Sequence, residues 1–424
     1  MKKTLLLPAL AGLMVVVSAC AQPAEGNVLQ SDKPRDVTPS VSAGDTQTLV
    51  DGNTTFALKL YHQIKEEGEN LFYSPYSISM ALAMTYAGAN GETEQQMAEV
   101  MHFYLSQEDL HPAFNSLDQE LSSRGEGAQG KDGEGFRLNV VNAIWGQKDY
   151  NFLDSFLDTL AVNYGAGLRI LDFVKAPEES RVTINDWVSD ETEGRIQELI
   201  PEGVIDAMTR LLLTNAIYFN AAWADPFNEN ATHDGPFYLL DGSTVTVPLM
   251  RQTEGYGYTE GTNYQAVEMP YDGNELSMVI ILPGENEYNN FEDGLDTNQL
   301  NVILGEINHQ EVNLTLPKFE FTADFELTQA LSDMGMPIAF DAGADFSGMT
   351  GNRDLFIGSV IHQAYVGVDE AGTEAAAATA VEMELTAAPA MPVTMTIDRP
   401  FIFLIRDIET GSLLFMGRVL NPAG

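Results

Sequence analysis

Residues 369–392 read DEAGTEAAAATAVEMELTAAPAMP, and this stretch is the most informative part of the sequence about the fold. Every second residue from Thr373 to Leu385 is small or apolar, and these side chains grow larger along the chain. The residues between them are alanine or glutamate. A period of two is typical of a strand with two different faces. Alanine and glutamate favour a helix by propensity, but a helix does not explain the alternation, so we predict a strand.

The alternation ends after Leu385, where the chain continues as TAAPAMP. Pro389 and Pro392 exclude a central strand in this part of the chain, because proline cannot donate to a sheet. A segment that can form a strand therefore ends in a loop that is suited to cleavage.

The first nineteen residues are predicted to be a signal peptide of the lipoprotein type. Lys2 and Lys3 precede a short apolar run over residues 4–17, and residues 17–20 read VSAC. Cys20 is the only cysteine, so it cannot form an internal disulfide, and we expect it to carry lipid. The alternative is an ordinary secretory signal cut after Ala19. With lipid on Cys20, the protein would be exported and anchored at the outer membrane or the cell surface.

Residues 20–44 are predicted to form the lipidated cysteine and a flexible tether, since the segment is rich in proline and glycine and lacks hydrophobic periodicity. As a random coil such a tether spans roughly 25–30 Å. No second linker of this kind follows. We therefore expect residues 45–424 to form one domain.

The chain carries 21 Lys and Arg against 62 Asp and Glu, a formal net charge of −41. A field of this sign repels nucleic acid and heparin-type polyanions, so neither is expected as a partner. The acidity suits a solvated surface in a salty medium, where repulsion is screened. Attraction of basic proteases is the alternative role.

Helices are predicted early in the chain and strands late. Hydrophobic spacing indicates helices over residues 54–67, 75–86, 152–164 and 324–334, of which the second is the most fully buried. Strands are predicted over residues 138–144, 211–219, 279–282, 401–405 and 413–420. Without regular βαβ alternation, this order favours an α+β fold with large, mainly antiparallel sheets.

Sequence motifs of common enzymes are absent. The six histidines form neither HExxH nor a close pair at metal spacing, and neither a GxSxG turn nor a phosphate-binding Walker loop occurs. We predict that the protein is not an enzyme and takes no metal or cofactor. His362 lies on the apolar face of a strand, which favours a core histidine that is satisfied by hydrogen bonds.

Five segments together resemble the serpin family of serine protease inhibitors over nearly the whole chain after the tether. They are residues 70–79, 213–227, 368–378, 399–405 and 414–422. The resemblance implies a serpin fold with about eight or nine helices and an exposed reactive-centre loop. It further implies that the chain is a monomer.

The resemblance also implies roles for particular residues. The reactive-loop hinge corresponds to Glu370, Gly372, Thr373, Glu374, Ala375, Ala376, Ala377 and Ala378. The shutter, a polar cluster beneath the opening sheet, corresponds to Ser74, Ser77, Asn215 and His362, and the breach residue, where insertion begins, to Trp223. Counting forward from Glu370 places the reactive bond at Thr386–Ala387, whereas counting back from Pro400 places it near Pro389. The end of the alternation at Leu385 favours the forward count.

The implied function is irreversible suicide inhibition of serine proteases, with cysteine proteases as a further possibility. A protease cleaves the loop, the loop inserts into the main sheet, and the acyl-enzyme is trapped. Residues 373–394 lack Arg and Lys, which disfavours trypsin-like targets, and small residues at the bond favour elastase-like or subtilisin-like ones. Leu385 leaves papain-like proteases as second choice. The alternative function is that of a non-inhibitory serpin, acting as a binding module or a chaperone.

Overall fold

A computed structural model describes residues 27–125, 137–373 and 391–424. The described chain contains ten α-helices, one or two more than predicted, because four of them are only four to nine residues long and give weak periodic patterns. The helices are α1 (Ala43–Ile64), α2 (Pro75–Tyr86), α3 (Gly91–Met101), α4 (Gln107–Ser122), α5 (Asp154–Tyr164), α6 (Pro177–Glu191), α7 (Tyr288–Gly294), α8 (Thr297–Gly305), α9 (Thr328–Met334) and α10 (Ser347–Thr350).

Strands make up the rest of the regular structure. They are β1 (Asn27–Leu29), β2 (Leu71–Tyr73), β3 (Arg137–Gln147), β4 (Leu168–Leu171), β5 (Leu211–Ala222), β6 (His233–Tyr238), β7 (Thr244–Glu260), β8 (Tyr264–Pro270), β9 (Leu276–Pro283), β10 (Asn308–Pro317), β11 (Phe319–Glu326), β12 (Ile357–Val368), β13 (Gly372–Thr373), β14 (Val393–Thr396), β15 (Phe401–Asp407) and β16 (Leu413–Val419). Within the described ranges, no helix is long and apolar enough to cross a membrane.

The strands form two sheets in which antiparallel pairs predominate. The main sheet has the order β1-β4-β3-β5-β13-β12-β11, with parallel pairs β3–β4 and β5–β12. The second sheet has the order β14-β10-β7-β8-β9-β15-β16-β2, and β6 pairs with β7 at its side. The predicted α+β class with large, mainly antiparallel sheets is confirmed.

Two hydrophobic cores lie on opposite faces of the main sheet. The larger core packs the inner face against α1, α2 and the second sheet. Helix α2 runs through this core, and every residue from Pro75 to Tyr86 is buried, as its apolar sequence predicted. The smaller core lies on the outer face, beneath α6 and the segment that follows it.

Two predicted helices have different bounds in the structure. Helix α1 begins at Ala43, eleven residues earlier than predicted, because Ser42 caps it by accepting a hydrogen bond from the amide of Asp45. The prediction of a helix over 324–334 is wrong in its first part, where β11 runs to Glu326 before α9 begins. Buried and exposed residues alternate along β11, which pairs with β12, so sheet pairing outweighs the local helical pattern.

The expectation of a flexible tether is wrong for residues 27–44, which lie on the folded domain. Strand β1 pairs antiparallel with β4 at the edge of the main sheet. The Arg35 guanidinium donates to Asn115 Oδ1 at 2.7 Å and to Asp118 Oδ2 at 2.6 Å on α4. The amide of Asp36 donates to the carbonyl of Val162 in α5 at 2.9 Å. These contacts are non-local, so the composition of the segment does not reveal them.

We expect Arg35→Ala to release residues 27–41 from the domain. The variant loses two charge-assisted hydrogen bonds, each worth about 1.5–3 kcal/mol when its partners are shielded from water. Amides of 27–41 should therefore exchange hydrogen much faster than in the wild type, as mass spectrometry would measure. Lys33→Ala is the matched control, because the Lys33–Asp158 ion pair is 61% exposed on the lysine side and contributes little. Equal exchange in wild type and Arg35→Ala would contradict the expectation.

Candidate functional site

The predicted hinge begins with a tight turn at the end of β12. After Val368 the chain reverses and re-enters the main sheet as β13, between β5 and β12. The Asp369 carboxylate accepts hydrogen bonds from the amides of Ala371 and Gly372, at 2.8 and 3.3 Å. Burial raises the pKa of Asp369, and these two hydrogen bonds oppose the rise only in part.

Gly372 lies where the backbone of the turn approaches that of β5 most closely. A Cβ atom at this position would lie 2.1 Å from the carbonyl oxygen of Ala221 and 2.7 Å from Cα of Ala222. Both are backbone atoms of a central strand, so they cannot move aside. Gly372 is therefore required for entry into the sheet, by space rather than by backbone angle.

Thr373 is the last described residue before the gap, and its side chain points into the core. It pairs with Ala221 on one side and with Val368 on the other. Its side chain is buried, and its hydroxyl lies 2.8 Å from the hydroxyl of Tyr271. Thr373 thus already occupies the first core-facing position of a strand between β5 and β12.

Trp223, the predicted breach residue, holds the turn in place. Its indole Nε1 donates to the carbonyl of Asp369 at 3.0 Å, and its amide donates to the carbonyl of Ala371 at 2.9 Å. Its ring stacks on Tyr271 with centroids 4.7 Å apart and an interplanar angle of 9°. Sequence analysis missed Tyr271, which lies about 50 residues from Trp223 in a segment without a distinctive pattern.

Glu370 anchors the turn from outside the sheet. Its carboxylate accepts from Lys318 Nζ at 2.6 Å and from Thr232 Oγ1 at 2.7 Å. Burial opposes ionisation of Glu370, but the hydrogen bonds from Lys318 and Thr232 outweigh it and hold its pKa below the ordinary value. Neither Lys318 nor Thr232 was identified from the sequence, because only the fold brings these distant segments together.

The four predicted shutter residues lie together beneath the middle of the main sheet. His362 of β12 stands directly opposite Asn215 of β5, and Asn142 of β3 stands opposite Asn215 on its other side. Ser74 and Ser77 approach from the start of α2. Asn142 was predicted only as part of a strand, and its membership in this cluster depends on the register between β3 and β5.

The hydrogen bonds of the shutter define the tautomer of His362. The amide of Ser74 donates to Nε2 at 3.2 Å, so Nδ1 carries the proton and donates to Oδ1 of Asn215. The Asn215 side-chain amide in turn donates to Ser77 Oγ and Asn142 Oδ1. Both polar ends of Asn215 are therefore satisfied, and one of its bonds crosses directly from β5 to β12.

The remaining predicted site residues lie outside the described part of the chain. They are Cys20, the hinge residues Glu374, Ala375, Ala376, Ala377 and Ala378, and the bond Thr386–Ala387. In the part that is described, no group of three or more His, Cys, Asp or Glu side chains is arranged to hold a metal ion.

We expect the pH dependence of stability to report on His362. Burial lowers its pKa to about 3, whereas an unfolded histidine titrates near 6.5. As the pH falls below about 6.5, the unfolded state takes up a proton that the native state does not, so stability is lost on acidification. The loss is about 1.4 kcal/mol per pH unit, or about 2 kcal/mol between pH 6.5 and 5.

Urea unfolding of wild type and His362→Gln, near pH 6.5 and near pH 5, measures this loss. The variant should lose about 2 kcal/mol less than the wild type over that interval. His111, whose pKa burial lowers to about 4, is present in both proteins, so its contribution cancels. His233→Gln, at an exposed position, is the control and should follow the wild type. A His362→Gln variant with the wild-type pH dependence would show that this histidine is not neutral in the fold.

Comparison with known proteins identifies a family that matches this chain. The family model described as "Serpin (serine protease inhibitor)" matches residues 51–422. The human leukocyte elastase inhibitor is 40% identical over 389 residues, with 89% of this chain and all of that protein covered. A serpin-like protein of Thermococcus kodakarensis is 38% identical over 381 residues, covering 89% of this chain and 87% of that protein.

A solved structure shows the same architecture. The thermophilic serpin tengpin in its native state superposes with a TM-score of 0.81 and 29% sequence identity, covering 93% of this chain and 97% of that one. The family match and the relatives each span most of the chain. The chain therefore belongs to the serpin family of serine protease inhibitors.

Proposed function

We propose that this serpin is an irreversible suicide inhibitor of proteases, which acts by inserting its cleaved reactive loop into the main sheet. The observation that carries the proposal is β13. Two residues of the loop already lie between β5 and β12, with a register fixed on both sides. They are the start of a strand that the sequence continues to Leu385.

The register of β13 predicts where the later residues would lie after cleavage. Continuing antiparallel to both neighbours, each residue after Thr373 moves one residue back along β5 and along β12. Six residues on, Thr379 would stand opposite Asn215 on one side and opposite His362 on the other. Insertion would break the Asn215–His362 hydrogen bond, and the Thr379 hydroxyl would offer a donor and an acceptor in its place.

Cleavage would start the process. The serine oxygen of the protease forms an ester with the carbonyl carbon of Thr386, the Thr386–Ala387 peptide bond breaks, and the new amine of Ala387 takes the proton. The free strand can then insert while it still carries the protease. Alanines at most positions before Val381 keep the entering segment narrow, which favours fast insertion over deacylation.

Elastase-like and subtilisin-like proteases are the proposed targets, with papain-like ones as second choice. Thr386 and Ala387 are small, and residues 373–394 contain no Arg or Lys for a trypsin-like pocket. The leukocyte elastase inhibitors, at 37–40% identity, support this choice by the protease that their name states.

The test is covalent trapping of elastase and of subtilisin, followed on SDS gels. Wild type should give a complex that survives SDS. Thr373→Arg should instead be cleaved and released, because an unpaired charge is too costly at this buried position, so the strand loses the start from which insertion continues. Thr394→Arg is the matched control. It places the same side chain at an exposed position beyond the loop and should trap like the wild type.

The same samples distinguish the alternative of a non-inhibitory serpin. Thermal melts before and after loop cleavage should show a large rise in midpoint for wild type and a smaller rise for Thr373→Arg. Unchanged midpoints in wild type, with cleavage but no covalent complex, would favour a binding module or chaperone. Unimpaired trapping by Thr373→Arg would exclude insertion as the mechanism.

We further propose that lipid on Cys20 holds the protein at the cell envelope. The support is the VSAC sequence and the absence of any other cysteine from the chain. In cells fed an alkyne fatty acid, wild type should be labelled and Cys20→Ser should not. Ser18→Thr is the control for signal processing, since it leaves the cysteine in place. Equal labelling of wild type and Cys20→Ser would contradict lipidation at this residue.

A further inference from the structure

The outer face of the main sheet is covered where the reactive strand would have to enter. Helix α6 and the segment after it form a layer over β3, β5 and β12. The buried core between layer and sheet contains Ile184 and Val188 of α6 and Ile196 of the segment after it, and Trp145, Leu212 and Ile361 of the sheet.

This layer straddles the boundary between β5 and β12. Leu212 belongs to β5 and Ile361 to β12, and both are buried in the same outer core. Below β13 these two strands pair directly with each other. A strand inserted between them would move them apart by about 4.8 Å, one strand spacing, so the layer cannot keep its contacts with both.

A cluster of two indoles and a guanidinium also fastens α6 to the sheet, and it lies on the β5 side of that boundary. The guanidinium carbon of Arg169, in β4, lies 4.2 Å from the ring centroid of Trp187 in α6 and 5.4 Å from that of Trp145 in β3. The two indoles meet edge to face, with centroids 5.4 Å apart. Trp145 is fully buried and donates from Nε1 to Thr214 Oγ1 in β5 at 2.8 Å.

The layer also contacts the sheet on the β12 side. Ile361 packs in the shared core, and the Arg195 guanidinium lies 6.0 Å from the ring centroid of Tyr365. The contact of Arg169 with Trp187 and Trp145 thus adds to the apolar packing that holds α6 on the sheet. A guanidinium that contacts two indoles in a partly buried setting is among the stronger contacts of this kind.

We propose that Arg169 is a positioning residue for inhibition, whose stack with Trp187 and Trp145 holds the α6 layer over the boundary and limits how fast the sheet opens. The proposal rests on the proposed insertion mechanism. A tight stack prolongs the life of the uncleaved inhibitor and slows insertion after cleavage. A looser contact shortens that lifetime and speeds insertion. This cluster therefore shifts the balance between a long-lived uncleaved inhibitor and fast insertion.

Uptake of a synthetic peptide tests sheet opening without any protease. A labelled peptide with the sequence of residues 373–386 should enter between β5 and β12, and its anisotropy gives the rate. Arg169→Leu should take it up about fivefold to tenfold faster than wild type, as expected for the loss of one well-placed cation–π contact. Arg169→Lys keeps a cation near the ring but loses the planar guanidinium that lies on it, so its uptake rate should fall between those of wild type and Arg169→Leu. Trp187→Phe, with a weaker π face, should also fall between wild type and Arg169→Leu.

Phe403→Leu distinguishes this role from general loosening. Phe403 is fully buried in the second sheet, remote from the layer, so the variant should lower the thermal midpoint without faster uptake. Equal uptake by wild type, Arg169→Leu and Trp187→Phe would overturn the role of the stack while leaving insertion intact. Equal acceleration in Phe403→Leu at a matched midpoint would overturn it as well.

A failure of the proposed inhibitory function would give different results from a failure of the proposed role of Arg169. If neither wild type nor Arg169→Leu takes up the peptide, the sheet does not open, and both proposals fall. If uptake rates differ as expected but no protease is trapped, the stack keeps its role and inhibition fails. Where trapping occurs, Arg169→Leu should use no more inhibitor per protease than wild type, and its uncleaved form should lose activity faster on storage at 37 °C.

Discussion

The structure depends on one parallel pair of strands, β5 and β12, in the middle of the main sheet. Above Ala364 the two strands separate and admit β13, and below it they pair directly. Parallel pairs are slightly less stable per residue than antiparallel ones, and a sheet interior normally has no place for a later strand. The hinge, the shutter and the α6 layer all act on this pair. Gly372 admits the backbone, the Asn215–His362 hydrogen bond joins the strands, and the outer core covers them.

The shutter shows why polar residues occupy the centre of this core. Apolar side chains between β5 and β12 would pack well in the closed sheet, but a strand that entered between them would have to rebuild that packing. A hydrogen bond is exchanged more simply, since a hydroxyl can replace one partner without leaving the other unsatisfied. Asn215, His362 and the incoming Thr379 fit this requirement in the proposed mechanism. The cost is a buried histidine that must stay neutral, which burial ensures by lowering its pKa to about 3.

The sequence was informative where a pattern is local and less so where contacts are distant. The unbroken apolar run of α2 correctly indicated a buried helix, and of the strand that period-two alternation predicts from Thr373, only Thr373 itself lies in the described part, in β13. The resemblance selected Ser74, Ser77, Asn215 and His362, which the structure brings into one cluster. Their shared location follows from strand register and from the docking of α2, and neither can be calculated from composition.

The residues that were missed share one physical feature, which is that their partners are far away in the chain. Tyr271 meets Thr373 across 102 residues, and Lys318 meets Glu370 across 52. Residues 27–44 failed as a predicted tether for the same reason, because Arg35 finds Asn115 and Asp118 on a helix about 80 residues later. Proline and glycine report the absence of a regular element, but not whether an irregular segment is docked.

Basic residues are few in this acidic chain, and two of them lie near the boundary between β5 and β12. With 21 basic residues against 62 acidic ones, most carboxylates have no basic partner. The positions of the basic residues near the site therefore show where a positive charge is needed. Lys318 forms an ion pair with Glu370 at the turn that leads into β13, and the Arg169 guanidinium contacts two indoles beneath α6. The Glu370 carboxylate is held in one position because it accepts from two donors on different segments, Lys318 and Thr232. A cation on a ring face tolerates sliding, because the attraction of the π face varies smoothly with position. In the proposed mechanism, the rigid contact thus holds the part of the loop that stays in place, and the tolerant one holds the layer that would have to move.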